Sequence, residues 1–80
     1  MSLTISSANL NMEIVYTFHA QQQIIGRKIE KVWIEDTIKY PDHIFREGQK
    51  DYAVKRINGG TLKAVFIKEK IIKVITVYWV

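Results

Sequence analysis

The chain has 80 residues, of which 48% are hydrophobic and 25% charged, with a net charge of +4; this balance predicts one globular domain. It contains no cysteine, which excludes disulfides and thiolate-bound metal sites. No apolar run approaches the ~20 residues of a membrane helix and no signal peptide pattern is present, so we expect a cytoplasmic protein without a membrane segment.

The positive charge is concentrated in the C-terminal part of the chain. Residues 50–80 contain seven Lys or Arg and two acidic residues, whereas residues 1–49 contain five basic and six acidic residues. A basic sheet on a near-neutral body favours a polyanion or an acidic protein as partner. The alternative is a solvated sheet face on which Lys and Arg suppress aggregation.

The N-terminal part predicts a leader followed by a helix. Residues 1–11 are rich in Ser and Asn and predict a flexible leader, so that the single domain spans residues 12–80. Residues 13–16 form a short apolar run, which is either an extra edge strand or a lead-in. Residues 17–26 predict a short helix with Thr17 as its N-cap and with its three glutamines facing mostly outward.

Residues 27–40 predict a second helix, which Pro41 stops because the residue before a proline avoids helical backbone angles. One apolar stripe on this helix consists of Ile29, Val32, Trp33 and Tyr40. Ile34 and Ile38 lie off the stripe. They either pack against the first helix or form an apolar surface for a partner.

The remaining sequence predicts strands. Residues 42–48 predict a turn and a short strand, and residues 50–57, 61–67 and 71–80 are dominated by β-branched and aromatic side chains. The predicted fold class is therefore α+β. Two N-terminal helices pack on one face of an antiparallel sheet of three to four strands, with residues 13–16 as a candidate extra strand.

Two-residue hairpin loops at positions 59–60 and 69–70 would define the strand register. The face under the helices then carries Ile57, Leu62, Phe66 and Trp79. The polar end of the opposite face collects Arg56, Thr61, Lys63, Thr76 and Tyr78, with Arg56 directly opposite Lys63. A three-residue loop at either hairpin would exchange the two faces beyond it.

Metal and cofactor sites are not predicted. His19 and His43 lie on separate elements, and no acidic residue stands at helical metal-ligand spacing from either. No Gly-rich loop follows a strand, so Gly59 and Gly60 indicate a turn rather than a phosphate-binding loop.

The remaining candidate set is metal-free and consists of His19, Arg56, Lys63 and Tyr78, with Lys55 and Arg46 in reserve. RNA carries its own nucleophile, the 2′-hydroxyl. A base that removes its proton, cations that stabilise the phosphorane and an acid that protonates the leaving oxygen complete the reaction. The alternative for His19 is a structural histidine at a helix end or interface.

Several short segments together carry a family resemblance: His19-Ala20, Tyr40-Pro41-Asp42, Gly48-Gln-Lys-Asp-Tyr52, Lys55-Arg56-Ile57 and Val74-Ile-Thr-Val-Tyr-Trp79. The chain resembles the domain-of-unknown-function 4258 family, which looks like a distant relative of the RelE and BrnT toxin group. The likeness covers residues 12–80. Many members carry an arginine soon after the His-Ala pair, where this chain has three glutamines.

The resemblance implies helices on one face of an antiparallel sheet, with the other face open. It also implies a metal-independent endoribonuclease of toxin type, or a descendant of one, held by an antitoxin-like protein. The family pattern matches His19, Lys55, Arg56 and Tyr78, and on this reading the catalytic residues are His19, Arg56 and Tyr78. The basic residues themselves predict that RNA phosphate is bound by Arg46, Lys55, Arg56 and Lys63.

Two other functions remain open from the residues themselves. One is a non-catalytic module that binds nucleic acid through the basic sheet face. The other is a homo-oligomeric interaction protein that uses Ile34, Ile38 and the apolar half of the open face. A homodimer is expected because so small a domain has apolar surface to cover.

Overall fold

The computed structural model describes residues 12–80, so the predicted leader at residues 1–11 lies outside the described residues. The elements in chain order are β1 (Ile14–Tyr16), α1 (Phe18–Gly26), α2 (Lys31–Lys39), β2 (His43–Glu47), β3 (Lys50–Ile57), β4 (Gly60–Lys68) and β5 (Ile72–Trp79). The predicted α+β class, with two helices ahead of the main sheet, is confirmed.

The described strands form one five-stranded sheet in the order β1-β5-β4-β3-β2. Strands β2 to β5 are antiparallel neighbours, as the hairpin pattern predicts. Strand β1 joins the edge of β5 in parallel, so residues 13–16 contain the extra edge strand and the sheet is mixed. A parallel pair needs a long crossover, and here the helices and three strands separate β1 from β5.

The first large hairpin turns at Asn58 and Gly59, whose φ angles are 56° and 85°. A two-residue hairpin turn of type I′ requires positive φ at both central positions, which Asn-Gly tolerates best. Ile57 therefore pairs with Gly60, whereas the predicted loop at positions 59–60 would place Leu62 opposite it, so the predicted register is wrong by two residues. A register shift of two residues leaves each side chain on the same face of the sheet and changes only which residues of β3 and β4 are paired.

The second large hairpin has a three-residue loop at positions 69–71, because Lys68 pairs with Ile72. The faces just beyond the loop are therefore exchanged relative to the prediction. Ile72 and Val74 are buried under the helices at 6% and 0% exposure, whereas Lys73 is exposed.

An irregularity in β5 reverses this exchange. Phe66 pairs with Val74 and Val65 pairs with Thr76, which leaves Ile75 as an extra residue in β5. Such a β-bulge shifts the alternation by one residue. Beyond it, Val77 and Trp79 face the helices and Thr76 and Tyr78 face away, as predicted.

Thr17 connects the start of α1 to this bulge. Its Oγ1 accepts a hydrogen bond from the Ala20 N–H at 3.1 Å and donates one to the Ile75 carbonyl at 3.0 Å. The predicted N-cap is therefore confirmed, and it also holds the helix against β5. Ala20 and Ile24 then point into the core.

Helix α2 is shorter than predicted at its N-terminal end. Lys28 has a φ of 54°, a left-handed angle that interrupts helical backbone, and residues 27–30 form the connection between the helices. The C-terminal end at Lys39 agrees with the stop predicted from Pro41.

The buried side of α2 also differs from the predicted stripe. Val32 and Tyr40 are each 56% exposed, whereas Ile34 and Ile38 are 0% and 9% exposed. The interpretation of Ile34 and Ile38 as core residues is confirmed, and they are not available as a partner surface.

Both helices cover the predicted face of the sheet, which we call the helix face. Leu62 and Phe66 lie in its core at 0% and 2% exposure, and Ile57 packs beside them. Trp79 meets Trp33 of α2 edge to face, with ring centroids 5.9 Å apart. The predicted placement of the helices is therefore confirmed.

Tyr16 has a buried hydroxyl without a hydrogen-bond partner in the described part of the chain. Burial, and secondarily the charge of Glu35, raises the pKa of this phenol above its ordinary value. Because an unsatisfied buried hydroxyl costs roughly 1–3 kcal/mol, we expect Tyr16→Phe to raise the free energy of unfolding by about 1 kcal/mol at neutral pH. Phenylalanine retains the ring that Lys31 Nζ approaches at 5.1 Å.

The pH dependence of the same variant follows from the raised pKa. Above the unfolded-state pKa of about 10, the unfolded chain loses the Tyr16 proton first, so the stability of the wild type falls as pH rises. Urea unfolding at neutral pH and at about pH 10.5 should show a wider gap between Tyr16→Phe and the wild type at the higher pH. The control is Tyr40→Phe at an exposed position, where loss of the hydroxyl should change stability at neutral pH by less than about 0.5 kcal/mol. A Tyr16→Phe variant less stable than the wild type would contradict the account.

Candidate nucleic-acid interface

The sheet surface on the side away from the helices is the open face. The alternation of β2 to β5 places on it Phe45, Tyr52, Arg56, Thr61, Lys63, Val65, Thr76 and Tyr78. Helices α1 and α2 pack Ala20, Ile24, Ile34 and Ile38 against the other side of the sheet. Functional side chains on the open face are therefore held by rigid strands.

Two aromatic side chains stack on this face. Phe45 of β2 lies directly opposite Tyr52 of β3, and their ring centroids are 4.9 Å apart with an interplanar angle of 2°. Phe45 remains 50% exposed. The pair gives the open face a flat aromatic surface that solvent reaches.

Lys63 stands among three aromatic rings. Its Nζ lies 5.5 Å from the Phe45 centroid, 5.5 Å from the Tyr52 centroid and 5.8 Å from the Tyr78 centroid. Each cation–π contact at a partly exposed site is worth about 0.5–1 kcal/mol. Phe45, Tyr52, Lys63 and Tyr78 thus form one group, which we call the aromatic–lysine cluster.

Arg56 adds a second positive charge to the open face. It pairs with Thr61, while Lys63 pairs with Val54, so the predicted direct opposition of Arg56 and Lys63 is wrong. The two side chains are diagonal neighbours, with Cβ atoms at most ~7–8 Å apart. This arrangement separates the like charges and leaves room for an anion between them.

Lys55 and Arg46, the other two basic residues predicted to bind RNA, lie on the helix face. Lys55 Nζ donates to the Tyr40 carbonyl at 2.8 Å, which caps the end of α2. Arg46 pairs with Asp51 at 3.0 Å. The sheet therefore separates these two cations from Arg56 and Lys63.

His19 lies on the exposed surface of α1. Gln23, one turn later, accepts hydrogen bonds from the Val77 N–H at 3.1 Å and from the Thr76 hydroxyl. Gln23 thus covers the edge of β5, and the prediction that the glutamines face mostly outward is wrong for this one. Among the hydrogen bonds within residues 12–80, none connects His19 to Arg56 or Tyr78.

Sequence reasoning did not include Phe45 and Tyr52 in the site. The available signal was the alternation of residues 43–47, which places Phe45 on one face with His43 and Glu47. Assigning that face required the turn at Gly48, whose φ is 65°, and the pairing of Glu47 with Lys50.

The described residues contain no group of three His, Asp or Glu side chains arranged to hold a metal ion. Neither α1 nor α2 is long and apolar enough to cross a membrane.

Comparison with known proteins identifies a family for this architecture. No curated protein and no solved structure matches the chain significantly. The family described as "Domain of unknown function (DUF4258)" matches residues 16–79, which include every described strand and helix except the start of β1. The chain therefore belongs to the DUF4258 family.

Proposed function

We propose that this domain binds single-stranded RNA on its open face. The observation that carries the proposal is the aromatic–lysine cluster, in which half-exposed Phe45, two partly buried tyrosine rings and a cation share one sheet surface. Unstacked bases bind aromatic side chains through their π faces, and positive side chains follow the phosphates.

The bases have a defined place on this surface. The stacked rings of Phe45 and Tyr52 are parallel within 2°, so a base that stacks on the exposed side of the pair extends an existing column of rings. Base–aromatic stacking contributes about 1–3 kcal/mol per base. In a duplex the bases stack on one another and their faces are not accessible, so only a single strand can stack its bases on this surface.

Arg56 and Lys63 are the proposed phosphate ligands. The guanidinium of Arg56 donates two parallel hydrogen bonds to a phosphate, and Lys63 contributes a compact charge. The Arg56 backbone N–H already donates to Asp42 Oδ2 at 2.9 Å, which holds this part of β3 in place. Binding should therefore require little reorganisation of the strand.

Cleavage of the bound RNA is the second candidate function. It is favoured by the nearness of Lys63 Nζ to the Tyr78 ring, at 5.8 Å, beside the position of Arg56. In this hypothesis His19 removes the 2′-hydroxyl proton, Arg56 stabilises the phosphorane and Tyr78 protonates the leaving oxygen. The predicted relationship to RelE and BrnT toxins and the antitoxin-like partner belong to this hypothesis and stay predictions. The homodimer, which was predicted separately from apolar surface, also stays a prediction.

The test is RNA binding as a function of salt concentration, with the Arg56→Ala, Lys63→Ala double variant. We expect the double variant to bind a single-stranded oligoribonucleotide about tenfold or more weakly at low salt. The slope of log affinity against log salt should flatten by about 1.4, because each phosphate contact on a single strand contributes ~0.7.

Lys70→Ala, in the exposed loop of the second hairpin, is the matched control for loss of a positive charge. Its affinity and slope should change much less than those of the double variant. An unchanged slope in the double variant would show that the basic face only maintains solubility. Incubation of labelled RNA with the wild type in the presence of a chelator separates the two functions, since intact RNA excludes cleavage of that substrate and leaves binding.

A further inference from the structure

A second site lies on the other side of the sheet, independent of the proposed RNA surface. A cavity of about 380 Å³ lies beside the last turn of α2, on the helix face of the sheet. It is at the end of the sheet where the β2–β3 and β4–β5 hairpins turn. Its volume falls within the ~300–1,000 Å³ of small-molecule sites. At ~30 Å³ per water, it holds a compact molecule of roughly ten non-hydrogen atoms.

The interior surface of the cavity is apolar. Phe66 and Ile72 form part of it at 2% and 6% exposure, and Ile38 of α2 contributes at 9% exposure. Ile44 of β2 also lines the cavity and is 53% exposed, so a large aliphatic side chain here remains uncovered. Burial of this apolar surface by a ligand is favourable at about 25 cal/mol per Å².

The charged groups at the cavity are mostly cationic. Lys39, Arg46 and Lys68 line it together with one carboxylate, that of Asp51, which gives a formal charge of +2. The C-terminal end of α2 contributes about −0.5 charge, which is too small to reverse the sign. The field in the cavity therefore favours an anion.

Arg46 is held in an orientation suited to anion binding. Its Nε and Nη2 donate to the two carboxylate oxygens of Asp51 at 3.0 and 3.4 Å. These contacts use two of the five guanidinium N–H groups, and the Arg46 side chain is 62% exposed whereas that of Asp51 is 12% exposed. The nearly buried carboxylate fixes the guanidinium, and its remaining donors stay accessible.

We infer that this cavity is a binding site for a small anionic amphiphile, a molecule with a carboxylate head group and an apolar body of about eight carbons. The apolar body fills the space over Phe66 and Ile72, and the head group contacts Arg46 and Lys68. A neutral or cationic molecule of the same shape lacks the favourable contact of an anionic head group with Arg46 and Lys68.

Octanoate is the probe, titrated into the full chain and followed by the amide resonances of a ¹H–¹⁵N spectrum. We expect shifts at Ile38, Arg46 and Lys68, and no comparable shifts with octylammonium at equal concentration. Lys68→Gln removes an exposed charge and should weaken octanoate binding about tenfold, as loss of a charge-assisted contact does. Arg46→Gln should weaken octanoate binding by a similar factor, and its amide spectrum shows whether the fold is intact without the ion pair to Asp51.

Lys63→Gln is the matched control, because this lysine lies on the open face. Lys63→Gln should weaken RNA binding and leave octanoate binding unchanged, whereas Lys68→Gln should weaken octanoate binding and leave RNA binding unchanged. The two proposals are therefore tested independently of each other. The inference is overturned if octylammonium produces the same shifts as octanoate. It is equally overturned if octanoate leaves these amides unshifted or if Lys68→Gln retains full affinity.

Discussion

Replacement of Ile34 with alanine is expected to lower the free energy of unfolding by about 2–5 kcal/mol. The Ile34 side chain is fully buried between α2 and the sheet, so its removal leaves a cavity that the strands beneath cannot close. A domain of this size has a total stability of only ~4–12 kcal/mol. The substitution should therefore remove a large share of it and lower the thermal midpoint by well over 5 °C, since about 1 kcal/mol corresponds to ~4–8 °C.

Val32→Ala is the matched control for this variant. Val32 lies two positions earlier on the same helix and is 56% exposed, so its truncation should change stability by less than about 0.5 kcal/mol. Urea unfolding followed by tryptophan fluorescence measures both variants, because Trp33 and Trp79 lie in the same region of the core. Equal losses in the two variants would contradict the buried orientation of α2.

This pair of variants also shows why the sequence predicted the second helix but placed its apolar side wrongly. The predicted stripe included Ile29 and Tyr40, which lie outside α2 and therefore carry no information about its rotation. The interruption comes from the left-handed backbone at Lys28, a position with no glycine or proline to indicate it. Without Ile29 and Tyr40, the sequence gives no reason to prefer Val32 over Ile34 as a core residue.

The faces of the sheet were more predictable than the buried side of α2, because the alternation of side chains between the two faces depends only on neighbours along a strand. Asn58-Gly59 was a recognisable turn, and its exact position altered the register by an even number of residues without exchanging the faces. The three-residue loop and the extra residue Ile75 each shift the faces by one, and together they cancel for Val77 and Trp79. The bulge is bonded to Thr17, which is 58 residues away in sequence, so local sequence gives no signal for it.

The site was predictable in its charges and not in its aromatic part. Arg56, Lys63 and Tyr78 lie on the predicted face, because the shift in the first hairpin is even and the two one-residue shifts in β5 cancel before Tyr78. The Phe45–Tyr52 stack depends on the pairing of β2 with β3, a hairpin whose register does not follow from the sequence alone. The stack is therefore the part of the proposed function that structure alone contributes.

Substitution of Tyr52 tests that contribution most directly. Tyr52→Leu keeps an apolar side chain beside Val65 but removes the π surface that stacks on Phe45 and faces Lys63. Loss of one base-stacking contact, worth about 1–3 kcal/mol, should weaken binding of single-stranded RNA roughly 5- to 150-fold. Tyr52→Phe retains the ring and should bind within about twofold of the wild type if stacking rather than the hydroxyl is responsible.

Fluorescence anisotropy with a short labelled oligoribonucleotide measures these affinities, and urea unfolding of each variant shows whether the sheet is intact. The salt dependence distinguishes the aromatic contribution from the ionic one, because Tyr52→Leu removes no phosphate contact and should lower affinity at every salt concentration without changing the slope. The Arg56→Ala, Lys63→Ala variant should change the slope as well. If Tyr52→Leu and Tyr52→Phe bind RNA equally well, the rings serve only to pack against Lys63, and any RNA on this face is held by charge alone.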